Sequence, residues 1–505
     1  MKNTLFIMGF LLSSLLSLSF GQLTPAEAVI QMSRGINMGN TLEPPDEGGW
    51  NNPLAEEYYF DDYVAAGFKT VRIPVRWDEH TLESLPYTVD EDWMNRVEQL
   101  VDWALERKLF VVINAHHEEF LKNNPSLENL ERFDSIWSQI ANRFQNKSDS
   151  LLFEMLNEPH PIPKDTVDNL NERVLSIIRK TNPTRIVIFS GHSWSNSDEL
   201  MSTRIPNDEY LMGYFHSYDP WSFGGQSQGT WGSISDKSFI KTKFDNVQNW
   251  SEQNNIPVLL GEFGAISVYD GTITDFNSRM RHYAYFVEQS LEHNFCFTVW
   301  DDGGDFGIYN RASRNWQIMK DILINFSVKN PNLLVSKNMN GDYVELSWEN
   351  RTDNHDSIFI ERGLSPVSMQ KIDAIAPGVV KYEDYSVEQF RNYYYRVVAH
   401  YNDSTDLMSY PTTVYTEHES GVYFDKNSSS VQIFPNPLRD YLNIKSLDEE
   451  ILNKLEVYSI TGSNIANYVL NGQLNNIYLG YLQNGLYIVR VKTDKSDYAF
   501  KLEKL

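Results

Sequence analysis

Residues 151–160 read LLFEMLNEPH, an apolar run that ends in an asparagine, a glutamate and a proline. Near-continuous apolar runs of this length are typical of strands buried on both faces of a parallel sheet. A carboxylate at the end of such a strand is costly to bury unless it has a partner. The stretch PVLLGEFG at 257–264 has the same form and contains Glu262. Glu158 and Glu262 could therefore form a pair carried by two strands.

Six further stretches between 34 and 302 have the strand pattern, and helical patterns separate them. They are RGINMGN (34–40), TVRIPV (70–75), LFVVINAH (109–116), RIVIFSG (185–191), LMGYFHSY (211–218) and CFTVWDD (296–302). Eight such strands interleaved with helices over about 290 residues predict an α/β fold, a parallel (β/α)8 or TIM barrel. A doubly wound open sheet is the alternative, but no glycine-rich phosphate loop follows the first strand.

The rest of the chain has a different pattern. Short alternating runs predict a β-sandwich over 326–416 and a second small all-β domain over 431–505. Residues 417–430 predict a linker. One lysine followed by an apolar stretch predicts a secretory signal peptide at 1–21, which leaves 22–325 for the barrel.

Charge and cysteine content exclude some classes of protein. The formal net charge is −25 and the pI is about 4.8, which argues against binding nucleic acid and favours a neutral substrate. Outside the signal, the sequence predicts no membrane-spanning helix, so we expect an exported protein that does not insert into a membrane. The single cysteine, Cys296, forms no disulfide framework and is expected to pack in the core.

Strand alternation predicts which side chains face the barrel interior. Leu152, Glu154 and Glu158 would share one face of the fourth strand, and Glu262 would share a face with Leu260 in the seventh. Active sites of this fold lie at the carboxyl ends of the strands. Polar or aromatic residues recur at those ends: Arg72, Asn114, His116, Tyr214, His216, Tyr218, Thr298 and Trp300.

Two carboxylates that face one cleft are what glycoside hydrolysis needs, one as a proton donor and one as an ionised nucleophile. Their separation decides between retention and inversion of the anomeric configuration. Arg72 could keep a nearby carboxylate ionised, and Tyr218 could donate a hydrogen bond to Glu262. Trp300 offers a flat apolar face for a sugar ring.

Six motifs in this order resemble glycoside hydrolase family 5, the cellulase family, over about residues 30–320: GFKTVRIPVRW, NAHHE, LNEP, GYFHSYDP, GEFGA and TVWDDG. The resemblance implies a retaining enzyme without metal or cofactor. It implies that Glu158 is the general acid/base and Glu262 the nucleophile, with Asn157 positioning the sugar 2-hydroxyl. It implies supporting roles for Arg72, His116 (or His117), His216 and Tyr218. It also implies that Trp300 forms the platform under the sugar ring.

The C-terminal parts also resemble known families. Residues 326–416 resemble a fibronectin type III-like domain, which we expect to act as a spacer. Residues 431–505, from FPNPLRDYLNI to KLEKL, resemble the C-terminal sorting domain of type IX secretion. This resemblance implies that the secretion machinery recognises the tail and that the protein is extracellular, either released or attached to the cell surface.

Plainer interpretations exist for the same residues. Glu158 could be a structural carboxylate paired with Arg72, and Glu154 is expected to be paired inside the barrel. His116 and His216 could be buried core histidines.

Several loop residues are further candidates for the cleft. Asn40 and Glu43 follow the first strand and could reach it. Trp194, Trp221 and Trp231 lie in loops and could be sugar platforms or could pack on the surface. A metal site made by the run His116, His117 and Glu118 is disfavoured, because adjacent residues of a strand point to opposite faces.

We therefore predict a secreted, monomeric, retaining endo-β-1,4-glucanase. Endo action follows from the resemblance together with the aromatic loops. A β-1,4-mannan, a xyloglucan or a mixed-linkage glucan is the alternative substrate, because loops decide this choice. The alternative without catalysis is a glycan-binding surface protein, although a lectin needs no proton donor opposite a nucleophile.

Overall fold

The structure is a computed structural model that describes residues 22–339, 342–416, 430–447 and 450–505. The predicted signal peptide and residues 417–429 of the predicted linker lie outside these ranges. No helix in the described ranges has both the length and the hydropathy needed to cross a membrane.

Eight parallel strands close into a barrel, and this confirms the predicted (β/α)8 fold. They are β1 (Arg34–Asn37), β2 (Thr70–Ile73), β3 (Phe110–Asn114), β4 (Leu151–Glu154), β5 (Val187–Phe189), β6 (Leu211–Ser217), β7 (Val258–Phe263) and β8 (Cys296–Val299). The strands end earlier than predicted. The largest difference is in β4, which stops at Glu154 rather than at residue 158.

Helices connect the strands and cover the barrel. They are α1 (Pro25–Met32), α2 (Tyr58–Ala66), α3 (Glu91–Glu106), α4 (Glu119–Asn123), α5 (Leu127–Arg143), α6 (Lys164–Ile178), α7 (Ser197–Ser202), α8 (Trp221–Gly224), α9 (Ile234–Asn254), α10 (Phe276–Glu292) and α11 (Met319–Asn325), with a 3-10 turn at Asp78–His80. Two short hairpins pair Val268–Tyr269 with Thr272–Ile273 and Tyr309–Asn310 with Asn315–Trp316. In α5 the buried residues recur at helical spacing, so one face packs on the barrel.

The barrel has an outer and an inner apolar cluster. The outer cluster joins the helices to outward-facing strand residues such as Ile113, Phe153 and Leu260. The inner cluster contains Val112, Leu152, Leu259 and Cys296, together with residues of α1. Helix α1 therefore packs against the barrel interior, and Cys296 is a core residue as predicted.

Two sheets follow the barrel. The strands are β9 (Asn332–Met339), β10 (Tyr343–Glu349), β11 (Ser357–Ser365), β12 (Ser368–Ile375), β13 (Lys381–Asp384), β14 (Asn392–His400), β15 (Leu407–Met408) and β16 (Thr412–Tyr415). One sheet has the order β9–β10–β13 and the other β12–β11–β14–β15, with β16 also paired to β14. This arrangement fits a sandwich of the fibronectin type III kind.

The barrel and the sandwich share a seam. Tyr410 is part of the outer apolar cluster of the barrel. Asn277 of α10 exchanges two hydrogen bonds with the backbone of Thr413, with N···O distances of 2.9 and 2.7 Å. Arg351 forms an ion pair with Glu288 of α10 at 2.5 Å. The sandwich is thus packed on the barrel and is not a freely hinged spacer.

The C-terminal tail has its own apolar core and two sheets. Its strands are β17 (Val431–Phe434), β18 (Tyr441–Ser446), β19 (Leu452–Ser459), β20 (Asn464–Val469), β21 (Leu474–Tyr478), β22 (Gly485–Thr493) and β23 (Asp497–Lys504). The sheet orders are β17–β18–β21 and β20–β19–β22–β23. The proposed domain boundaries themselves stay predictions.

Candidate active site

Arg72 of β2 organises the carboxyl ends of the strands. It is fully buried, and its guanidinium donates to Glu154 through Nε (2.6 Å) and Nη2 (2.7 Å). Nη1 donates to Asn37 and to Glu262 Oε1, both at 2.8 Å, and Nη2 also donates to Asn157 at 2.7 Å. One planar fork thus fixes two acids and two amides.

Glu154 has the structural role expected of it. Besides Arg72 it accepts a hydrogen bond from Asn114 Nδ2 at 2.8 Å. Burial opposes ionisation, but the charge and hydrogen bonds of Arg72 outweigh burial and lower the pKa of Glu154. Both oxygens are occupied by strong donors, so Glu154 is available neither as an acid nor as a nucleophile.

A β-bulge turns Glu262 toward the cleft. The prediction that Glu262 shares a face with Leu260 is therefore wrong. Leu260 packs in the outer apolar cluster, whereas Glu262 accepts from Arg72 and Tyr218 at the barrel mouth. Phe215 pairs with Leu260, but the next residue of β6, His216, pairs with Glu262. Gly261 is the extra residue, and it turns Glu262 inward.

Glu158 lies beyond the end of β4, in the loop that leads to α6. Its φ is +41°, in the left-handed region that non-glycine residues rarely adopt. The preceding residue, Asn157, is held by its N–H, which donates to the carbonyl of Ala115 at 2.9 Å. The Glu158 carboxylate is 26% exposed, so it lies at the cleft surface rather than in the core. Backbone strain held at a cleft is a common feature of functional sites.

His216 bridges the two glutamates. Its Nδ1 is 2.8 Å from Glu158 Oε1 and 3.6 Å from Glu262 Oε2. Glu158, His216 and Glu262 each offer one possible ligand atom, and these atoms all lie within 4.8 Å of one another. The Nε2 of His216 is buried without a partner. Because a proton on Nε2 would be unsatisfied, the geometry favours a neutral ring with its proton on Nδ1.

The ionisation of Glu158 and that of Glu262 depend on each other. Burial raises the pKa of Glu262, and repulsion from Glu158 adds to this effect. Burial also opposes ionisation of Glu158, but a charged His216 outweighs it and lowers the pKa of Glu158. With a neutral His216 the lowering by its charge is lost for both glutamates. The difference that remains is in hydrogen bonding: Arg72 and the Tyr218 hydroxyl each donate to Glu262 at 2.8 Å, which favours the ionised form of Glu262 and a single proton on Glu158.

His116 is fixed as a neutral tautomer by two amides. The N–H of Val75 donates to Asn114 Oδ1, so Asn114 Nδ2 faces His116 Nδ1 at 3.1 Å. Arg72 donates to Asn157 Oδ1, so Asn157 Nδ2 faces His116 Nε2 at 3.3 Å. A neutral imidazole can accept at only one nitrogen. The shorter contact assigns the lone pair to Nδ1 and the proton to Nε2. Burial lowers the pKa of His116 well below its usual value, which agrees with a neutral ring.

Glu43 brings a second group of possible metal ligands together. Its Oε2 is 3.7 Å from the Nε2 atoms of both His116 and His117, and Trp50 makes an edge contact with His117. The proton on His116 Nε2 leaves no lone pair for an ion. This argument favours a role for the group in hydrogen bonding to hydroxyls rather than in metal binding.

Trp300 lies next to these residues at the end of β8. Its ring is parallel to that of His116, with centroids 6.1 Å apart. Asn40 lies beside them with φ +53° and donates through Nδ2 to Asn51 at 2.9 Å. Its backbone N–H donates to Glu43 at 2.7 Å, so the first βα loop is connected to the cleft.

The other tryptophan candidates fall into different environments. Trp194 is 56% exposed and stacks on His160, which follows Glu158 by two residues. Trp221 is also exposed and makes an edge contact with Tyr218. Trp231 is only 1% exposed, so the prediction that it could be a sugar platform is wrong.

The sequence patterns did not indicate Asn37, Lys122 or Trp50 as site residues. Asn37 donates through Nδ2 to carbonyls of β7 and β8 at 3.0–3.1 Å and accepts from Arg72. Lys122 of α4 is buried beside His116. A polar residue in β1 was a weak signal for Asn37, and no pattern distinguished Lys122 from a surface lysine.

Sequence comparison agrees with this geometry. A family model described as Cellulase (glycosyl hydrolase family 5) matches residues 29–304, more than half of the chain. This chain belongs to glycoside hydrolase family 5. Endoglucanase H of Acetivibrio thermocellus is 48% identical over 299 residues, which cover 58% of this chain and 32% of that protein. This family 5 chain therefore spans about a third of the length of that relative.

Solved structures support the same fold. A tri-modular family 5 (subfamily 4) endo-β-1,4-glucanase from Bacillus licheniformis is 26% identical, with a TM-score of 0.65 over 95% of this family 5 chain and all of that chain. Cel5A of Thermotoga maritima in complex with cellobiose is 32% identical, with a TM-score of 0.57 over 59% of this chain and all of that one.

The tail also has a family match. A model for the secretion system C-terminal sorting domain matches residues 432–503. This match confirms the predicted type IX sorting domain and indicates export.

Proposed function

We propose that this protein is a secreted, retaining endo-β-1,4-glucanase that hydrolyses β-1,4-glucan by double displacement. The observation that carries the proposal is that the carboxylates of Glu158 and Glu262 both face Nδ1 of His216, at 2.8 and 3.6 Å, and have oxygens within 4.8 Å of each other. Retaining enzymes have carboxyl groups about 5–5.5 Å apart, whereas inverting enzymes leave room for a water at about 6.5–9.5 Å.

In the first step Glu262 attacks the anomeric carbon and Glu158 gives its proton to the glycosidic oxygen. The bond to the leaving sugar breaks, and a covalent glycosyl-enzyme ester forms at Glu262. Arg72 and Tyr218 hold Glu262 ionised and orient it, each at 2.8 Å. In this proposal Trp300 gives the sugar ring an apolar face, and Asn157 positions its 2-hydroxyl.

In the second step Glu158 acts as a base. It takes a proton from water, the water oxygen bonds to the anomeric carbon, and the ester to Glu262 breaks. His216 keeps contact with both carboxylates, so its Nδ1 proton can follow the negative charge as that charge moves between them. The starting protonation state is restored.

Several observations support a neutral β-1,4-glucan as substrate. The exposed tryptophans Trp50, Trp194 and Trp221 could support sugars beyond the cleavage point, which an endo-acting enzyme needs. The endoglucanase names of the relatives agree. A β-1,4-mannan is the second candidate, because the related Cel5A of Thermotoga maritima was solved in complex with mannotriose.

We further propose that the mature enzyme is a monomer that leaves the cell through its sorting tail and is released or attached at the surface. The sorting-domain match supports recognition by the secretion machinery.

The test is release of reducing ends from soluble cellulose, mannan and xyloglucan derivatives by wild type and by Glu262→Gln. We expect the wild type to cleave the cellulose derivative fastest and the variant to lose activity by on the order of 10⁴-fold or more. Glu172→Gln, on the outer face of α6, is the matched control and should keep full activity. Binding of glucan without any cleavage by the wild type would favour the lectin alternative.

Retention is tested separately by following the anomeric proton signals of the first product by NMR. We expect the β-anomer to appear first. Early appearance of the α-anomer would contradict double displacement.

A further inference from the structure

His282 is a buried histidine of α10 that the reaction described above does not use. It is fully buried, and its Nε2 lies 3.0 Å from the carbonyl oxygen of Asp219. A carbonyl oxygen can only accept, so Nε2 carries the proton and donates it. Nδ1 is then a bare acceptor, and it is buried without a hydrogen-bond partner among the described residues. An apolar ring would fill the same space without this cost, so the Nε2 bond calls for an explanation.

Aromatic rings hold the imidazole of His282 in place. The ring centroid of Phe286 lies 4.5 Å from it, and those of Trp231 and Phe223 lie at 5.1 and 5.5 Å. Burial lowers the pKa of His282 to about 4. The ring is therefore neutral at neutral pH, and its Nε2–H is a fixed donor to the Asp219 carbonyl.

The bond from His282 reaches the chain one residue after Tyr218, whose hydroxyl donates to Glu262 Oε2 at 2.8 Å. β6 ends at Ser217, so Tyr218 and Asp219 lie in the loop beyond the strand. Lys243 and Ser217 bind the side chain of Asp219, at 2.6 and 2.9 Å. His282 binds its backbone, and so restrains the main chain that carries Tyr218.

Helix α8 connects the same two residues by a second route. A Cβ at Gly224 would lie 2.1 Å from the carbonyl oxygen of Tyr218, so the backbone of α8 packs directly on that of Tyr218. The residue before Gly224 is Phe223, which contacts the His282 ring. His282 therefore supports the loop after β6 both through the Asp219 carbonyl and through α8.

Neighbouring residues of α10 hold the loop after β7. The hydroxyl of Tyr283 accepts from the N–H of Ala265 at 3.2 Å, and Arg279 Nε donates to the carbonyl of Ala265 at 2.8 Å. Ala265 lies three residues after Glu262. One helix thus fixes the chain on both sides of the hydrogen bond from Tyr218 to Glu262.

We propose that His282 is a positioning residue whose hydrogen bond to the Asp219 carbonyl keeps the Tyr218 hydroxyl on Glu262, and so keeps Glu262 ionised for its attack. The proposal deepens the function given above, because it rests on Glu262 being the nucleophile. The plainer interpretation is that His282 only fills the core. Removal of the Nε2 donor should let the chain beyond Ser217 relax and lengthen the bond from Tyr218 to Glu262.

The charges around these groups stay constant when His282 is replaced. The groups that act on Glu262 are His216, Arg72, Glu158 and Tyr218. Those that act on His282 are Asp219 and Arg279, and Lys243 is paired with Asp219. Because His282 is neutral, its replacement by a neutral residue removes no charge from the mouth. A change in the titration of Glu262 would then come from a change in geometry.

The experiment is the pH dependence of kcat/KM on a soluble cellulose derivative for wild type, His282→Phe, His282→Gln and Tyr218→Phe. The acid limb of this profile reports ionisation of the nucleophile in the free enzyme. The Tyr218 hydrogen bond lowers the pKa of Glu262, so its loss raises that pKa and moves the limb to higher pH. We expect a shift of about one pH unit for Tyr218→Phe and of at least about half a unit for His282→Phe. His282→Gln keeps an N–H donor and should stay within about 0.2 pH units of wild type.

A double variant separates positioning from core packing. If His282 acts through Tyr218, adding His282→Phe to Tyr218→Phe should move the limb no further. His293→Phe is the matched control, because His293 is also buried, at the end of α10, and its Nε2 lies 2.9 Å from Asp245 of α9. It should lower the thermal unfolding temperature and leave the limb in place. His282→Leu replaces His282→Phe if the larger ring prevents folding.

Several outcomes would overturn the proposal and leave His282 as a core residue. They are an unmoved acid limb in a folded His282→Phe or His282→Leu variant, a double variant that shifts by the sum of the single shifts, and an equal shift in His293→Phe. Glu262→Gln is measured alongside. If that variant keeps wild-type kcat/KM, the proposed function fails. If it is impaired while the limb of His282→Phe stays in place, only the role of His282 fails.

Discussion

The barrel mouth and the seam between barrel and sandwich both bury an arginine against a glutamate, yet they are built differently. At the seam the two contacts share no residue: Arg351 pairs with Glu288 at 2.5 Å and with Glu349 at 3.5 Å, and Asn277 binds the Thr413 backbone. At the mouth partners are shared, and Arg72 alone binds two acids and two amides.

The mouth also contains features that lower stability. His216 Nε2 is buried without a partner, and Glu158 is held at a positive φ. A fold gains nothing from such features, whereas a reaction can use a strained carboxylate and a histidine shared by two acids. Substitutions should therefore change activity at the mouth and stability at the seam.

The largest effect within this comparison is expected for Glu158→Gln. Its kcat/KM on polymer should fall by about 10²–10⁴-fold, because the leaving sugar then lacks a proton donor. An aryl cellobioside with an acidic phenol needs no such donor, so its bond-breaking step should be much less affected. Pre-steady-state release of the phenol measures the rate of that step. Glu262→Gln is the control, and it should lose activity on both substrates. Equal losses of Glu158→Gln on both substrates would contradict the acid role.

A smaller loss is expected for Gly261→Ala. A Cβ at Gly261 would lie 2.9 Å from His216 Nε2 and 3.2 Å from the ring of Tyr214. The bulge leaves room for no side chain, so the His216 ring must shift from its present position beside Glu158 and Glu262. We expect kcat/KM to fall by about ten- to a hundredfold, the range produced by displacing a reacting group by up to 1 Å.

Gly213→Ala is the matched control for that variant. Its Cβ would meet Leu200 and Trp250 at 3.1–3.2 Å, on the outer side of β6. It should lower the thermal unfolding temperature and leave kcat/KM unchanged. If both alanine variants lose activity equally, His216 is not positioned by the bulge.

The same contrast explains what sequence could predict. Eight apolar runs were enough for the barrel, because parallel strands buried on both faces have a strong signal. The motif order assigned Glu158 and Glu262 to one end of it, and both lie there. Strict alternation assigned Glu262 to the wrong face, because the bulge at Gly261 adds one residue to the strand. The pattern of apolar residues contains no signal for such a bulge.

Partners of the site residues were harder to predict than the residues themselves. Alternation cannot reveal that Arg72 pairs with Glu154 and Glu262 rather than with Glu158, since it gives faces and not distances. Trp231 and Trp194 both lie in loops, and only packing distinguishes the buried one from the exposed one. The docking of the sandwich was missed for a related reason, because Tyr410 and Arg351 meet residues that are distant in sequence.

The smallest effect on activity is expected for substitutions at the seam, which should change stability and leave activity unchanged. Arg351→Met leaves Glu288, whose side chain is only 13% exposed, without its ion-pair partner, so the free energy of unfolding should fall by about 1–3 kcal/mol. The double variant Arg351→Met with Glu288→Met should lose less than the single variant, because no unpaired charge remains. Chemical denaturation measures both, and kcat/KM should equal that of wild type in each. A fall in kcat/KM without a fall in stability would mean that the seam is coupled to the mouth through α10, and the division between the two regions would be wrong.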